Sequence, residues 1–227
     1  MKPYDLCVSV YKKTPEIDYA NTIFKKEHHM PDNIDSVLFK DLADADPIDV
    51  CHRAQCDYDE KNRMYTVSVW GEDYCIYPFD LKLERIAGNL PVPNDYFGIF
   101  IINYLLQSKA IEPSREWISE KDIPGGTTFF RGPHEIPTRL ITSRYSSDIP
   151  AFKNTCTTFG GNPLDMADAS YFFNITPRIP IAVLFWDGDD EFPAETKVLF
   201  DKTIIKQLAS DIVYALAVDV CSRIARA

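Results

Sequence analysis

Residues 181–226 read IAVLFWDGDDEFPAETKVLFDKTIIKQLASDIVYALAVDVCSRIAR. The run from Ile181 to Trp186 is apolar without a break, as in a strand covered on both faces. Asp187-Gly188 is a hairpin turn signal, and residues 198–200 return as a second strand. From 204 to 226, apolar side chains at 204, 205, 208, 212, 213, 216, 220 and 224 keep the period of an α-helix. That spacing predicts one long C-terminal helix, with Asp201 and Thr203 as candidate caps. Strand, turn, strand and helix without regular β–α–β alternation predict an α+β fold, with antiparallel sheets packed against helices.

The pattern continues toward the N-terminus. Residues 171–175 read as a strand and 165–169 as a turn of helix. Residues 149–159 read as a helix carrying Phe152 and Cys156, closed by Gly160-Gly161. The strongly apolar stretch 96–107 predicts a helix buried on most sides. Before it, 64–69 and 74–77 read as strands joined by a turn at Trp70-Gly71-Glu72-Asp73, with a short strand at 81–86. Asp46-Pro47 starts a helix at 48–56, an N-cap followed by proline, and 57–62 is a polar turn. Helical spacing also marks 34–42 and 18–29. The halves 1–110 and 111–227 read alike: an Asp and Pro start, a short helix with Cys56 or Cys156, strands with Trp70 or Trp186 beside an acidic glycine turn, and a closing helix. The expectation is one domain over 1–227; two pseudo-repeated helix–hairpin–helix halves are one reading of the likeness, and the commonness of hairpins with Trp and Asp-Gly is the other.

The chain has 227 residues, enough to bury a core without disulfide staples. Its 24 Lys and Arg against 34 Asp and Glu leave a net charge of −10. An acidic surface repels nucleic-acid phosphates and anionic lipid, so neither nucleic acid nor membrane is an expected partner, and a basic partner is favoured. The opening MKPYDLCVSVYKK has no apolar core and no small-residue cleavage site, and no apolar stretch approaches the length of a membrane span. A cytoplasmic location is expected, with the six cysteines as thiols, although an even count also suits a secreted disulfide framework.

Three constellations are able to carry chemistry. Cys51-His52-x-x-x-Cys56 offers thiolate and imidazole ligands. No second pair stands at a metal-binding spacing, and a packed Cys51 beside an exposed His52 is the commoner outcome, so no metal is assigned. Asp187, Asp189, Asp190 and Glu191 crowd one turn without the spacing of a calcium loop, and a solvated hairpin is the commoner outcome there. The richest segment is 123–139, IPGGTTFFRGPHEIPTR. Gly125 and Gly126 can turn N–H groups toward an anion, Arg131 and Arg139 can bind a carboxylate or phosphate, and His134 can act as acid, base or ligand. Phe129 and Phe130 supply an apolar wall; the alternative is a structural loop whose glycines and prolines only turn the chain. The residues expected to line a ligand are Gly125, Gly126, Phe130, Arg131, His134, Trp186 and Asp189. No nucleophile elbow, P-loop or dinucleotide fingerprint is present, so no catalytic residue and no cofactor is assigned.

Three stretches in order resemble the family called domain of unknown function 3786: EWISEKDIPGGTTFFRGPHEIPT at 116–138, FGGNPLDMADAS at 159–170, and PRIPIAVLFWDGDDEFPAETKVLFDKT at 177–203. The earlier DPIDVCHRAQCDYDEKNRMYTVSVWGEDY at 46–74 fits that family's helix-plus-strand opening, and the resemblance spans roughly 45–226. Members occur mainly in anaerobic bacteria and archaea, and some are fused to an iron–sulfur domain similar to that of corrinoid iron–sulfur proteins. This chain lacks the cysteine cluster of such a domain. The resemblance implies a setting and no mechanism. It points to a cytoplasmic accessory or binding protein of anaerobic metabolism that handles a corrinoid, a tetrapyrrole, or a metalloprotein or corrinoid-protein partner. The residues leave open a metal-dependent or acid–base enzyme acting on a small anionic substrate through the 125–134 loop, with His134, Arg131 and the 187–191 carboxylates. A purely structural subunit is a third class.

Overall fold

The computed structural model describes residues 34–86, 94–146 and 148–227; the helix expected at 18–29 and Cys7 lie outside the described residues. Helices α1 (Ser36–Asp44) and α2 (Pro47–Ala54) start at Asp35 and Asp46, whose carboxylates accept the N–H of Val37 and Ile48. Pro47 suits the first turn of α2, where an N–H has no helical partner. An antiparallel meander follows: β1 (Asp57–Asp59), β2 (Met64–Val69), β3 (Glu72–Tyr77) and β4 (Lys82–Arg85). Helix α3 (Asp95–Gln107) comes next and is buried over most of its surface. The second half holds β5 (Trp117–Ile118), α4 (Gly126–Phe129), α5 (Arg139–Tyr145), α6 (Ile149–Thr158), β6 (Asn162–Leu164), β7 (Ala169–Thr176), β8 (Ile179–Trp186) and β9 (Glu195–Asp201). The chain closes with α7 (Ile204–Gln207) and α8 (Ser210–Arg226). The second sheet has the order β5-β9-β8-β7-β6, antiparallel throughout. The expected α+β class, with antiparallel sheets and a C-terminal helix, is the observed one.

The order helix, four-stranded meander, helix is traversed twice, as α2, β1–β4, α3 and as α6, β6–β9, α8. Both short helices close around a left-handed residue, Gln55 (φ 52°) and Gly160 (φ 71°). The next N–H then reaches back five residues, Cys56 to the Cys51 carbonyl (3.3 Å) and Gly161 to the Cys156 carbonyl (2.8 Å). In these two turns Cys51 and Cys156 supply the accepting carbonyl. Trp70 lies in a two-residue turn between β2 and β3, whereas Trp186 is the last residue of β8.

Four local expectations differ from the structure. Residues 57–59 are strand β1 rather than turn, with the Tyr58 and Tyr65 rings 4.7 Å apart across the pair; three polar-flanked residues are too short to show a period. Residues 165–168 form bends without helical bonding, and β7 starts at Ala169. The β8–β9 connection runs over 187–194 instead of turning at Asp187-Gly188. The C-terminal helix breaks between α7 and α8, where Leu208 and Ala209 are extended, and beside the break the buried Gln207 side chain bonds the chain after α3. Its Oε1 accepts the Lys109 N–H (2.6 Å), and its Nε2 donates to the carbonyls of Lys109 and Ile111 (both 3.3 Å). The apolar period runs on through that break, which hides it from the sequence.

Helix α8 packs against α3 and α5, and its residues are buried from Ile212 to Ser222. Helix α6 lays Phe152 on Phe185 of β8, with ring centroids 5.1 Å apart. The two sheets meet where the Trp70 N–H donates to the Ile175 carbonyl of β7 (2.8 Å). Trp70 holds φ 58°, a left-handed conformation that bulky residues avoid. Its indole N–H donates to the buried Asp219 carboxylate of α8 (3.2 Å). Asn94 caps α3 by accepting the Phe97 N–H (2.9 Å) and donates to the other Asp219 oxygen (3.3 Å). Arg223 lies 3.7 Å from Asp219 and over the rings of Trp70 and Phe97, 5.3 Å from each. No helix among the described residues is long and apolar enough to cross a membrane.

Burial pushes the Asp219 carboxyl above its ordinary value, and Arg223, Asn94 and Trp70 offset only part of that. The folded state then favours the proton more than the unfolded chain does. The group opposes folding increasingly as pH rises from the ordinary carboxylate value through the raised one. Asp219→Ala leaves Arg223 and the Trp70 indole without their acceptor, with an expected loss of about 3–5 kcal/mol. Asp219→Asn keeps an acceptor for Trp70, is expected to cost about 1–2 kcal/mol, and removes this pH-dependent component. Urea denaturation at several pH values reads both effects.

Candidate functional site

The site begins at a second buried carboxylate. Asp201, at the end of β9, accepts the Ser114 N–H (3.1 Å) and hydroxyl (3.0 Å), the Arg115 N–H (2.6 Å) and the Thr203 N–H (2.9 Å) and hydroxyl (2.7 Å). Burial alone would raise its pKa; the bonds from Thr203, Ser114 and Arg115 hold it below the ordinary carboxylate value. This clamp lays β5 on the last turn-ward residues of β9, where Trp117 pairs with Asp201 and Ile118 with Phe200. The strand then stops. The Ser119 N–H and hydroxyl both donate to Asp122 (2.9 and 2.7 Å), which turns the chain away from the sheet.

Two glycines complete the departure for different reasons. Gly125 takes φ 77°, and Gly126 passes so close to Glu120 that an added Cβ would lie 1.9 Å from its carbonyl oxygen. After α4 the chain runs through Gly132 and Pro133 to α5, which is tied back to β9 by a bond between the Thr142 and Thr196 hydroxyls (2.9 Å).

Between this segment and β9 lies a cleft of about 360 Å³. Residues 119–121 form one wall, 195–199 the other, and Phe130, Glu135, Ile136 and Thr138 the rest. The β9 wall is a sheet edge. The Lys202 N–H donates to the Glu116 carbonyl (2.8 Å), so by alternation Phe200, Val198 and Thr196 turn their backbone groups to the same outer side. Phe200 meets β5, but no backbone group among the described residues pairs with Val198 or Thr196 on that side.

The sequence-derived residues divide between two places. Gly125, Gly126, Phe130, Arg131 and His134 share the departing segment, and Phe130 lines the cleft. The Gly126 N–H is engaged by the Ile123 carbonyl (2.7 Å), so it serves the turn. Arg131 and His134 are exposed. The His134 ring stacks on Phe129 at 4.6 Å and meets the Tyr214 ring edge-on at 5.3 Å. Trp186 and Asp189 belong to the β8–β9 connection. The Lys197 ammonium lies 5.2 Å over the Trp186 ring. Asp189 accepts the N–H groups of Phe192 (2.7 Å) and Glu191 (2.8 Å), and those bonds hold its carboxyl below the ordinary value.

Among the described residues, no group of three or more His, Cys, Asp or Glu side chains is placed to hold a metal ion. His52 is exposed, and Cys51 and Cys56 face each other instead. Burial pushes the Cys156 thiol up to about 12 and raises that of Cys221 as well, which leaves these two little thiolate for nucleophilic chemistry. The unpaired stretch of β9, buried at Thr196 and Val198, has no sequence signal, since it exists only because a two-residue strand pairs two residues and leaves.

Residues 46–223 match the model of the family described as domain of unknown function (DUF3786). No curated protein and no solved structure matches the chain.

Gly126→Ala drives a Cβ into the Glu120 carbonyl and is expected to cost about 1–3 kcal/mol in urea denaturation. Hydrogen exchange should quicken across residues 119–130, with the two meanders unchanged. Because the folded pKa of Asp201 is lowered, its contribution is present above the ordinary carboxylate value and lost as pH falls. Asp201→Asn should therefore flatten the acid limb of the stability profile.

Proposed function

The chain belongs to the DUF3786 family, and on that footing we propose that it is a non-catalytic binding protein that takes an extended segment of a partner protein along β9. The observation that carries this reading is the outward backbone of Thr196 and Val198, which pairs with no strand beside a cleft and, with the two residues 4% and 2% exposed, is reached by a partner only when the cleft widens. A strand added there gains two N–H donors and two carbonyl acceptors, and Phe130 and Ile136 offer contact to its side chains. The cleft carries Glu120, Glu135 and Glu195 against Lys121 and Lys197, and Lys197 lies 3.2 Å from Glu195. A segment bearing lysine or arginine suits that balance, and the net charge of −10 acts in the same direction.

The family setting supplies the kind of owner for such a segment: a metalloprotein or corrinoid protein of anaerobic metabolism, met in the cytoplasm and assisted in an accessory role. Direct capture of a corrinoid or tetrapyrrole at this cleft draws less support, because about 360 Å³ is near the lower end of small-molecule sites, which span roughly 300–1,000 Å³. Acid–base chemistry on a small anion through residues 125–134 also draws less: the Asp189 carboxylate is engaged by its own turn, and the His134 ring is stacked on Phe129.

A display library of extended, lysine- and arginine-bearing peptides provides the probe. Enriched peptides should slow amide exchange at Thr196 and Val198 by about tenfold or more. The double variant Glu120→Lys, Glu135→Lys should weaken them by about tenfold. Peptides that protect another segment, or a library with no enrichment, overturn the reading.

A further inference from the structure

Cys51 and Cys56 are half-buried, whereas Cys75, Cys156 and Cys221 are buried. The turn that ends α2 brings the first two together. With Gln55 left-handed, the Cys56 N–H reaches the Cys51 carbonyl, and the two side chains fall on one side with their sulfurs 3.8 Å apart. The sulfurs of a disulfide are about 2.05 Å apart, so forming the bond requires the two side chains to move closer than they stand here.

The surroundings hold this turn in place. The Tyr104 hydroxyl donates to the Ala54 carbonyl (2.7 Å), and Arg53 Nη1 donates to the Ser108 carbonyl (2.7 Å). Arg178 Nε donates to the Arg53 carbonyl (3.3 Å). The second meander shows that the turn itself does not need a second sulfur. There Gly161 stands opposite Cys156, and a Cβ on it would lie 2.7 Å from both the Cys156 carbonyl oxygen and the Phe173 ring. The thiol at position 56 is thus an addition to a turn that closes without it.

We propose that Cys51 and Cys56 are a reversible dithiol–disulfide pair that exchanges with small-molecule disulfides. The Cys51 thiolate attacks one sulfur of the small disulfide, breaks its S–S bond and releases one thiolate. The Cys56 thiolate then attacks Cys51 Sγ in the mixed disulfide, forms the Cys51–Cys56 bond and releases the second thiolate. The two protons lost by the cysteines end on the two released thiolates, so one protein dithiol is oxidised and one small disulfide reduced. Cys51 attacks first because the Cys56 thiol stands as donor to the Cys51 sulfur (3.8 Å) and favours the thiolate there. In a reducing compartment the pair rests as thiols and the disulfide forms when the poise shifts.

Incubation of the full chain with oxidised glutathione, followed by intact mass measurement and peptide mapping, tests this. The expected product has lost two hydrogens, about 2 Da, carries a peptide cross-linked between residues 51 and 56, and reverts with dithiothreitol. Cys56→Ser should stop at a single glutathione on Cys51, with an unchanged circular-dichroism spectrum. A folded wild-type chain with no 51–56 link, whether unmodified or carrying unresolved glutathione, overturns the proposal.

Discussion

A carboxylate in a protein core has to find donors, and Asp219 finds them on three different elements. Trp70 comes from the turn of the first meander, Asn94 from the cap of α3, and Arg223 from the next turn of α8. The Trp70 bond ties the first meander to α8, and the Asn94 bond ties the start of α3 to the same carboxylate. Trp70 accepts a left-handed backbone to do so, and its own N–H then reaches β7. Arg223 is held between the Trp70 and Phe97 rings, and Glu72 bonds Arg85 and the Tyr74 hydroxyl (3.0 Å) nearby. Such a buried network adds less to net stability than its number of contacts suggests, because desolvation offsets much of the attraction. What it supplies is a specific arrangement of two sheets and two helices.

Asp201 applies the same physics at the other end of the molecule, with a different consequence. Its five bonds anchor residues 114 and 115 and the start of α7, so β5 can pair with the end of β9 and no further. The Ser119–Asp122 turn and the close pass of Gly126 carry the chain off the sheet. The sheet edge left behind is short and lies beside exposed Glu195 and Lys197, which discourages indiscriminate pairing with other strands. A cleft beside a protected edge is a selective surface, one that favours a segment with matching charge over any exposed strand.

Legibility varied with the length of the signal. Helix α3 and strand β8 were plain because a long stretch dominated by apolar residues, or an unbroken apolar run, outweighs local noise. Asp46 and Asp148 were legible as helix starts because a cap works through its own neighbours. Strands β1 and β5 were not, since two or three residues carry no period and their pairing partners are distant in the chain. The break at Leu208 was hidden because the apolar period runs through it, and Gln207 beside it bonds the carbonyls of Lys109 and Ile111, about a hundred residues away. Phe130 was found as part of an unusual segment; Thr196 and Val198 were missed because an unpaired edge is a property of neighbours, not of residue type.

The sequence by itself determined the α+β class, most of the helices and strands, the acidic balance, and which segment leaves the regular framework with two glycines. Only the tertiary structure decided that Asp219 and Asp201 are structural anchors, that His134 stacks on Phe129 at the surface, and that Cys51 and Cys56 face each other. Local periodicity and capping act over a few residues, so they are written along the chain. Burial of a carboxylate, a free strand edge and the approach of two sulfurs depend on what other elements bring to the same place, and that is settled only when the two meanders close on α3 and α8.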